Sequence, residues 1–188
     1  MRHMILAALL AAAAPAAFAA PVPKEQLLVP PKDATHYVVV SEAGKHGDMW
    51  RWTLPDGRIA YRHSQALRGW ISETDQVVTL GGDGLPTAIE VRGITPNGDA
   101  AETLKIANGK ATWTSIADSG SVEGRKGFYL PAGGVPLFND QGFNAFAAAG
   151  DAGLDLLPSG HATLKRGQKL TIQGPNGPKT VQLAFVRG

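Results

Sequence analysis

Three groups of side chains in this sequence have the residue types of a reactive centre. His46 and Asp48 stand two residues apart and would suit an acid–base pair. Glu73 and Asp75 have the same spacing, which on a strand puts both carboxylates on one face. Paired carboxylates cleave glycosides or hold a metal, provided a cleft surrounds them and one pKa is raised. Ser159, His161 and Asp155 supply a nucleophile, a base and an orienting acid, the types of a hydrolytic triad.

None of these spacings requires its chemistry. His46 and Asp48 read as solvated loop groups. Glu73 and Asp75 read as the wet face of a strand whose other face carries Trp70, Val78 and Leu80. Glu90 and Arg92 read as a surface ion pair worth ~0–1 kcal/mol. The triad types lack a G-x-S-x-G elbow. With no cysteine there is neither a disulfide framework nor a thiolate zinc site. The expectation is a chain with no catalytic residue, no cofactor and no metal ligand of its own.

The elements that would position these groups are strands. Trp50–Leu54 and Ile59–His63 flank Pro55-Asp56-Gly57-Arg58. Trp70–Leu80 and Thr87–Thr95 flank a Gly81–Pro86 turn, and Ala100–Ile106 and Ala111–Ser115 flank Asn108-Gly109. Alternating runs between Asp-Gly and Asn-Gly signals predict successive antiparallel hairpins. A two-residue turn at Asp56-Gly57 would set Leu54 opposite Ile59, Trp52 opposite Tyr61 and Trp50 opposite His63. Every large apolar side chain then shares one face, and Arg51 points to water. The Asn108-Gly109 turn pairs Ile106 with Ala111 and Leu104 with Trp113. Trp50, Trp52, Tyr61, Leu104 and Trp113 become the candidate lining of an apolar cavity.

Tyr37–Val40 reads as a first strand, Glu42–Asp48 as a loop, Asp118–Gly127 as a loop, and Phe128–Pro131 as a short strand. Asn139 reads as a helix N-cap, with Phe138 and Phe143 at staple spacing, Phe143, Phe146 and Ala147 as the apolar stripe, and Gly150 at the C-cap. Lys169–Gln173 and Thr180–Val186 read as a last hairpin. The fold expected is mainly β, an antiparallel meander forming a curled sheet or half-barrel, with one short helix packed on its apolar face.

Residues 1–19 have the layout of a secretory signal: Arg2, an apolar Ile5–Ala14 run, and Ala17-Phe18-Ala19 before a cut between Ala19 and Ala20. The run is shorter than the ~20 residues of a spanning helix. A periplasmic or secreted location is expected, with no stable membrane insertion after the cut. Residues 20–35 form a Pro-rich extended leader, and 36–188 one β-rich domain. Net charge is +2 over the 188 residues and falls close to zero without Arg2. Basic residues are interspersed with acidic ones, so no nucleic-acid partner is implied.

Several phrases then line up. Leu54–His63, Val78–Pro86 leading to Val91-Arg92-Gly93, Ala111-Thr112-Trp113, Ala117–Gly120, Phe128–Pro131 and Leu156–Gly160 follow one another. In this order they resemble the N-terminal region of large secreted bacterial proteins of the amidohydrolase family, over most of Tyr37–Val186. The resemblance implies a β-rich region preceding a metal-dependent hydrolase part, which would be a C-terminal domain of the same parent protein. That family's metal site begins with a His-x-His pair, which this chain lacks. Its (β/α)₈ barrel needs ~250 residues. No catalytic residue carries over. The readings are a non-catalytic accessory β domain or fragment of such a hydrolase, or a stand-alone periplasmic binding module whose curled sheet holds a lipid or other apolar ligand, or a plain structural or interaction domain.

Overall fold

The computed structural model describes residues 21–124, 126–130, 140–174 and 177–187. The expected export segment, its Ala19–Ala20 cut, Phe138 and the Asn139 cap lie outside the described residues, as does the side chain of Phe143. Among the described residues no helix is long and apolar enough to cross a membrane.

Alternating strands joined by tight turns pair with their neighbours in the chain. β1 (Thr35–Ser41), β2 (Gly44–Thr53), β3 (Ile59–Leu67), β4 (Trp70–Leu80), β5 (Pro86–Thr95), β6 (Gly98–Asp99), β7 (Glu102–Ala107), β8 (Lys110–Thr114) and β9 (Ser119–Glu123) make one antiparallel sheet. Its order is β1-β2-β3-β4-β5-β7-β8-β9, with β6 folded back on β5, and it does not close into a barrel. Two stretches expected as loops are largely strand. Glu42–Asp48 enters β2 at Gly44, because the Val38-Val39-Val40 run needs a partner. Asp118–Gly127 contains β9, where Val122 packs on the core and Gly120 lies opposite Trp113. A Cβ at Gly120 would come 2.5 Å from the indole, so only glycine lets the ring lie flat across that strand.

The first hairpin differs from its expected register by one residue. Thr53 pairs with Ile59, Trp52 with Ala60, Arg51 with Tyr61 and Met49 with His63. A two-residue turn would need Pro55 and Arg58 as the closing pair, and Pro55 has no N–H to give. Pro55 instead takes the second position of a turn closed by the Gly57 amide on the Leu54 carbonyl at 2.9 Å. Gly57 has φ +86, and the Leu54 amide then reaches the Arg58 carbonyl at 2.8 Å. Trp50 and Trp52 therefore share a face with Arg62, while Tyr61 faces the other way. The Asn108-Gly109 hairpin has the expected pairs, Ile106 with Ala111 and Leu104 with Trp113.

A second sheet begins with β10 (Phe128–Tyr129), which runs parallel to β11 (Leu154–Leu157). A parallel pair needs a crossover, and α1 (Asp140–Ala149) lies within it. β12 (His161–Gly174) and β13 (Gly177–Arg187) complete the sheet as a long hairpin. The apolar face on which α1 packs belongs to this second sheet: Phe146 meets Phe128 at 6.3 Å between ring centroids, beside Leu156 and Ala162. Ala147, expected on that stripe, is exposed. Gly150, at φ +57, ends the helix.

The main core lies between the sheets. Ile59, Tyr61, Val78, Ile89, Val91, Leu104 and Ala111 of the first pack with Tyr129 and Leu157 of the second. Fully burying a side chain such as Val, Leu, Ile or Phe stabilises by about 1.5–3 kcal/mol, so this contact is what covers the apolar face of the first sheet.

Candidate functional site

The register decides which charges meet on the outer face. β3 sets Arg62 beside Asp75 of β4, and Asp75 beside Arg92 of β5. Arg62 donates to Glu73, to the His63 carbonyl, and to the Thr74 carbonyl at 3.2 Å. The Ser64 hydroxyl donates to Glu73 Oε1 at 2.7 Å, and Lys24 Nζ lies 3.1 Å from the same oxygen. Arg92 Nε donates to Asp75 Oδ1 at 3.0 Å, and a second guanidinium nitrogen donates to Oδ2. The leader closes over this network. It makes one 3-10 turn at Lys24–Gln26, buries Leu27, and donates the Leu28 amide to Asp75 Oδ2 at 2.8 Å.

Glu73 and Asp75 are thus buried rather than on a wet face, and the leader is what covers them. Arg92 takes Asp75 as its hydrogen-bonded partner, where the sequence suggested Glu90. Burial pushes the Glu73 carboxyl up, but the Ser64 hydroxyl, Arg62 and Lys24 outweigh it and hold the group below its usual range. A carboxylate held ionised by three partners is a structural charge and not the proton donor of an acid–base pair.

The inner face runs from the apolar core into a polar band of Gln76, His63, Thr74 and Glu102, all buried. The Tyr129 hydroxyl donates to Glu102 Oε1 at 2.6 Å. Burial, and then that bond and the carboxylate charge, hold the tyrosine well above its ordinary pKa, so it stays the donor. Burial and the neighbouring Arg62 hold His63 below the usual histidine value, and favour the neutral ring.

Past this band the inner face opens into a cleft of about 530 Å³. Gln65 and Ser72 pair across β3 and β4, and Leu67 and Trp70 close that hairpin. Arg68 at φ 51 and Gly69 at φ 83 form its tip, and positive φ at both central residues is the type I′ geometry. Thr95, Pro96 and Asn97 supply the facing wall, where the Asn97 amide donates to the Thr95 hydroxyl at 3.3 Å. The lining holds an indole, two amides, two hydroxyls and a guanidinium, and no carboxylate. Sequence reading missed this cleft. Its one local signal was Trp70 placed directly after an Arg-Gly turn.

The other sequence-picked residues fall elsewhere. Asp48 receives His36 at 2.6 Å and Lys45 at 2.7 Å; the Lys45 bond lowers its pKa most, burial works against it, and the His36 bond adds to the lowering. His36 also stacks on Trp50, with centroids 5.1 Å apart. His161 Nδ1 lies 2.9 Å from Asp155, but its Nε2 faces the Ala152 carbonyl at 3.0 Å, where a triad needs the serine. The five residues expected to line one apolar cavity are divided. Tyr61 and Leu104 are core, Trp113 packs against that core, and Trp50 and Trp52 lie on the opposite face. Among the described residues no three His, Cys, Asp or Glu side chains come together as a metal site requires. The side chains present do not fit the metal set that the amidohydrolase resemblance implies for its parent. No family model, curated protein or solved structure matches this chain.

Proposed function

We propose that this chain is a non-catalytic β module that precedes a metal-dependent, amidohydrolase-type hydrolase part in an exported protein. The order of the sequence phrases suggests the parent. One observation of the fold supports the non-catalytic role: the buried carboxylates Glu73, Asp75 and Glu102 are each committed to an internal hydrogen-bonded partner. Acids spent on holding strands and leader together leave the chemistry to another part of the polypeptide. The apolar-carrier alternative has less support, because Tyr129 and Leu157 of the chain's own second sheet occupy the face such a ligand would use.

Reading the coding frame past Gly188 tests the parent. It should reach a His-x-His pair, and a stop codon in the first few positions would exclude a following hydrolase. Metal analysis of the purified chain tests the role. It should hold no stoichiometric zinc, and chelator-sensitive hydrolysis by this chain alone would overturn the non-catalytic reading.

A further inference from the structure

We propose that the cleft between the β3–β4 turn and the β5–β6 turn binds a short saccharide, with the Trp70 ring stacked on one pyranose face. Trp70 is 65 % exposed, the position of a large ring that forgoes its burial. Apolar area removed from water stabilises by roughly 25 cal/mol per Å², and an indole combines a broad apolar face with an N–H donor. The tip that carries it is a two-residue turn with both φ values fixed in the left-handed region, so the platform is held before any ligand arrives. Pre-ordering of this kind lowers the cost of binding.

The chemistry of the walls selects the ligand class. Gln65, Ser72 and Asn97 are neutral side chains that both donate and accept, which suits an array of hydroxyls, each of them donor and acceptor. A phosphate or sulfate ligand would call for several cations or a nest of amides, and Arg68 is the single cation in the lining. Leu67, Trp70 and Pro96 make the apolar part of the walls, and a pure hydrocarbon seated on them would cover Gln65, Ser72, Thr95 and Asn97 without offering a hydrogen bond. The volume of about 530 Å³ falls in the ~300–1,000 Å³ range of small-molecule sites. Arg68 at the rim leaves room for an acidic sugar in the same site. The inference holds whether or not a hydrolase follows the chain.

The full chain should be titrated with maltose, cellobiose, diacetylchitobiose and digalacturonate, followed by calorimetry and by amide chemical shifts. The expected result is saturable binding of at least one sugar, with shifts centred on Gln65, Ser72 and Asn97. Trp70→Ala should weaken that binding about tenfold or more with an unchanged melting temperature, since the ring is exposed. Gln65→Ala should weaken it less. The shift map needs no variant, so the proposal stays testable if Trp70→Ala folds poorly. No saturable binding to any of the four sugars overturns the proposal. So does binding that Trp70→Ala leaves intact, or binding of digalacturonate alone that depends on Arg68 and not on Trp70.

Discussion

Asp56-Gly57 and Asn108-Gly109 are both turn dipeptides between alternating strands of one sheet, and the chain folds them differently. Asn108 at φ 52 and Gly109 at φ 75 make a two-residue turn between Ala107 and Lys110. Asp56-Gly57 sits inside a longer loop between Thr53 and Ile59. The flanking residue makes the difference. Ala107 offers an N–H to the closing pair, and Pro55 at the matching place does not. The consequence reaches beyond the turn, because a one-residue change of pairing alters which faces meet across β2 and β3. Trp50 and Trp52 leave the core side and join Arg62, beside the acids that the leader buries.

The largest expected effect contrasts the charges of the two hairpin regions. Asp75, 1 % exposed, holds Arg92 and the Leu28 amide. Asp75→Ala leaves the partly exposed Arg92 guanidinium and the Leu28 amide without their acceptor, and should cost about 2–3 kcal/mol, below the roughly 3–5 kcal/mol of a fully buried pair because water reaches the arginine. Beside the second hairpin, across β8 and β9, Lys110 and Glu123 meet at 3.7 Å in the open, and Glu123→Ala should stay within ~0.5 kcal/mol as a surface change. Chemical denaturation of both variants checks the contrast. Comparable losses would mean that the leader does not seal the outer face.

The next effect transfers the first hairpin's problem to the second. Ala107→Pro removes the N–H of the closing pair with Lys110, which should cost about 1–2 kcal/mol for a lost ladder bond. Nuclear Overhauser contacts between β7 and β8 should shift toward a longer loop. A variant that keeps both its stability and the Leu104–Trp113 pairing would show that Pro55 is not the cause of the first hairpin's register.

Acid should separate the hairpins as well. The side chains facing inward between Leu104 and Trp113 carry no titratable group, whereas β3 turns His63 inward. The folded chain holds His63 below the unfolded value of 6.5, first through burial and then through Arg62. Above pH 6.5 its contribution is fully present. As pH falls the unfolded chain takes the proton first, so stability declines until the folded ring also titrates. Glu73, held low in the fold, adds a second loss below its unfolded value of 4.5. His63→Gln should remove the first decline and leave the second. An unchanged stability profile between pH 7 and 5 in that variant would refute the assignment.

The hairpin order was legible in the sequence because turn dipeptides and alternation are local. The register of the first hairpin is also legible in the sequence, since a proline without an N–H stands at the closing position, but there it opposes the apolar pattern of Trp50, Trp52 and Tyr61. The buried state of Glu73 and Asp75 was not legible. It depends on Leu28, 47 residues from Asp75, and no local pattern links a proline-rich leader to a strand. The cleft was hidden for the same reason, since its walls come from two turns separated by most of β4 and β5. The apolar character of Tyr61 and Leu104 is local, yet what covers them, Tyr129 and Leu157, arrives from a second sheet.

The smallest effect concerns a third Xaa-Gly turn, Arg68-Gly69, which has the Asn108-Gly109 geometry without its asparagine. Arg68 holds φ 51, in the left-handed region. That region costs an ordinary L-residue roughly 1–2 kcal/mol, and asparagine visits it more readily. The Arg68 side chain is exposed at the tip, so its replacement removes little packing. Arg68→Asn should therefore raise stability by a few tenths to about 1 kcal/mol, read as a higher denaturation midpoint at unchanged slope. The matching change in the other direction, Asn108→Arg, should lower it by a similar amount. If Arg68→Asn destabilises the chain, the arginine is making a contact that its exposed position does not suggest, and the turn owes its shape to that contact and not to backbone preference. If both changes behave as expected, turn chemistry alone separates the hairpins at their tips, and the difference at Asp56-Gly57 is traced to its proline.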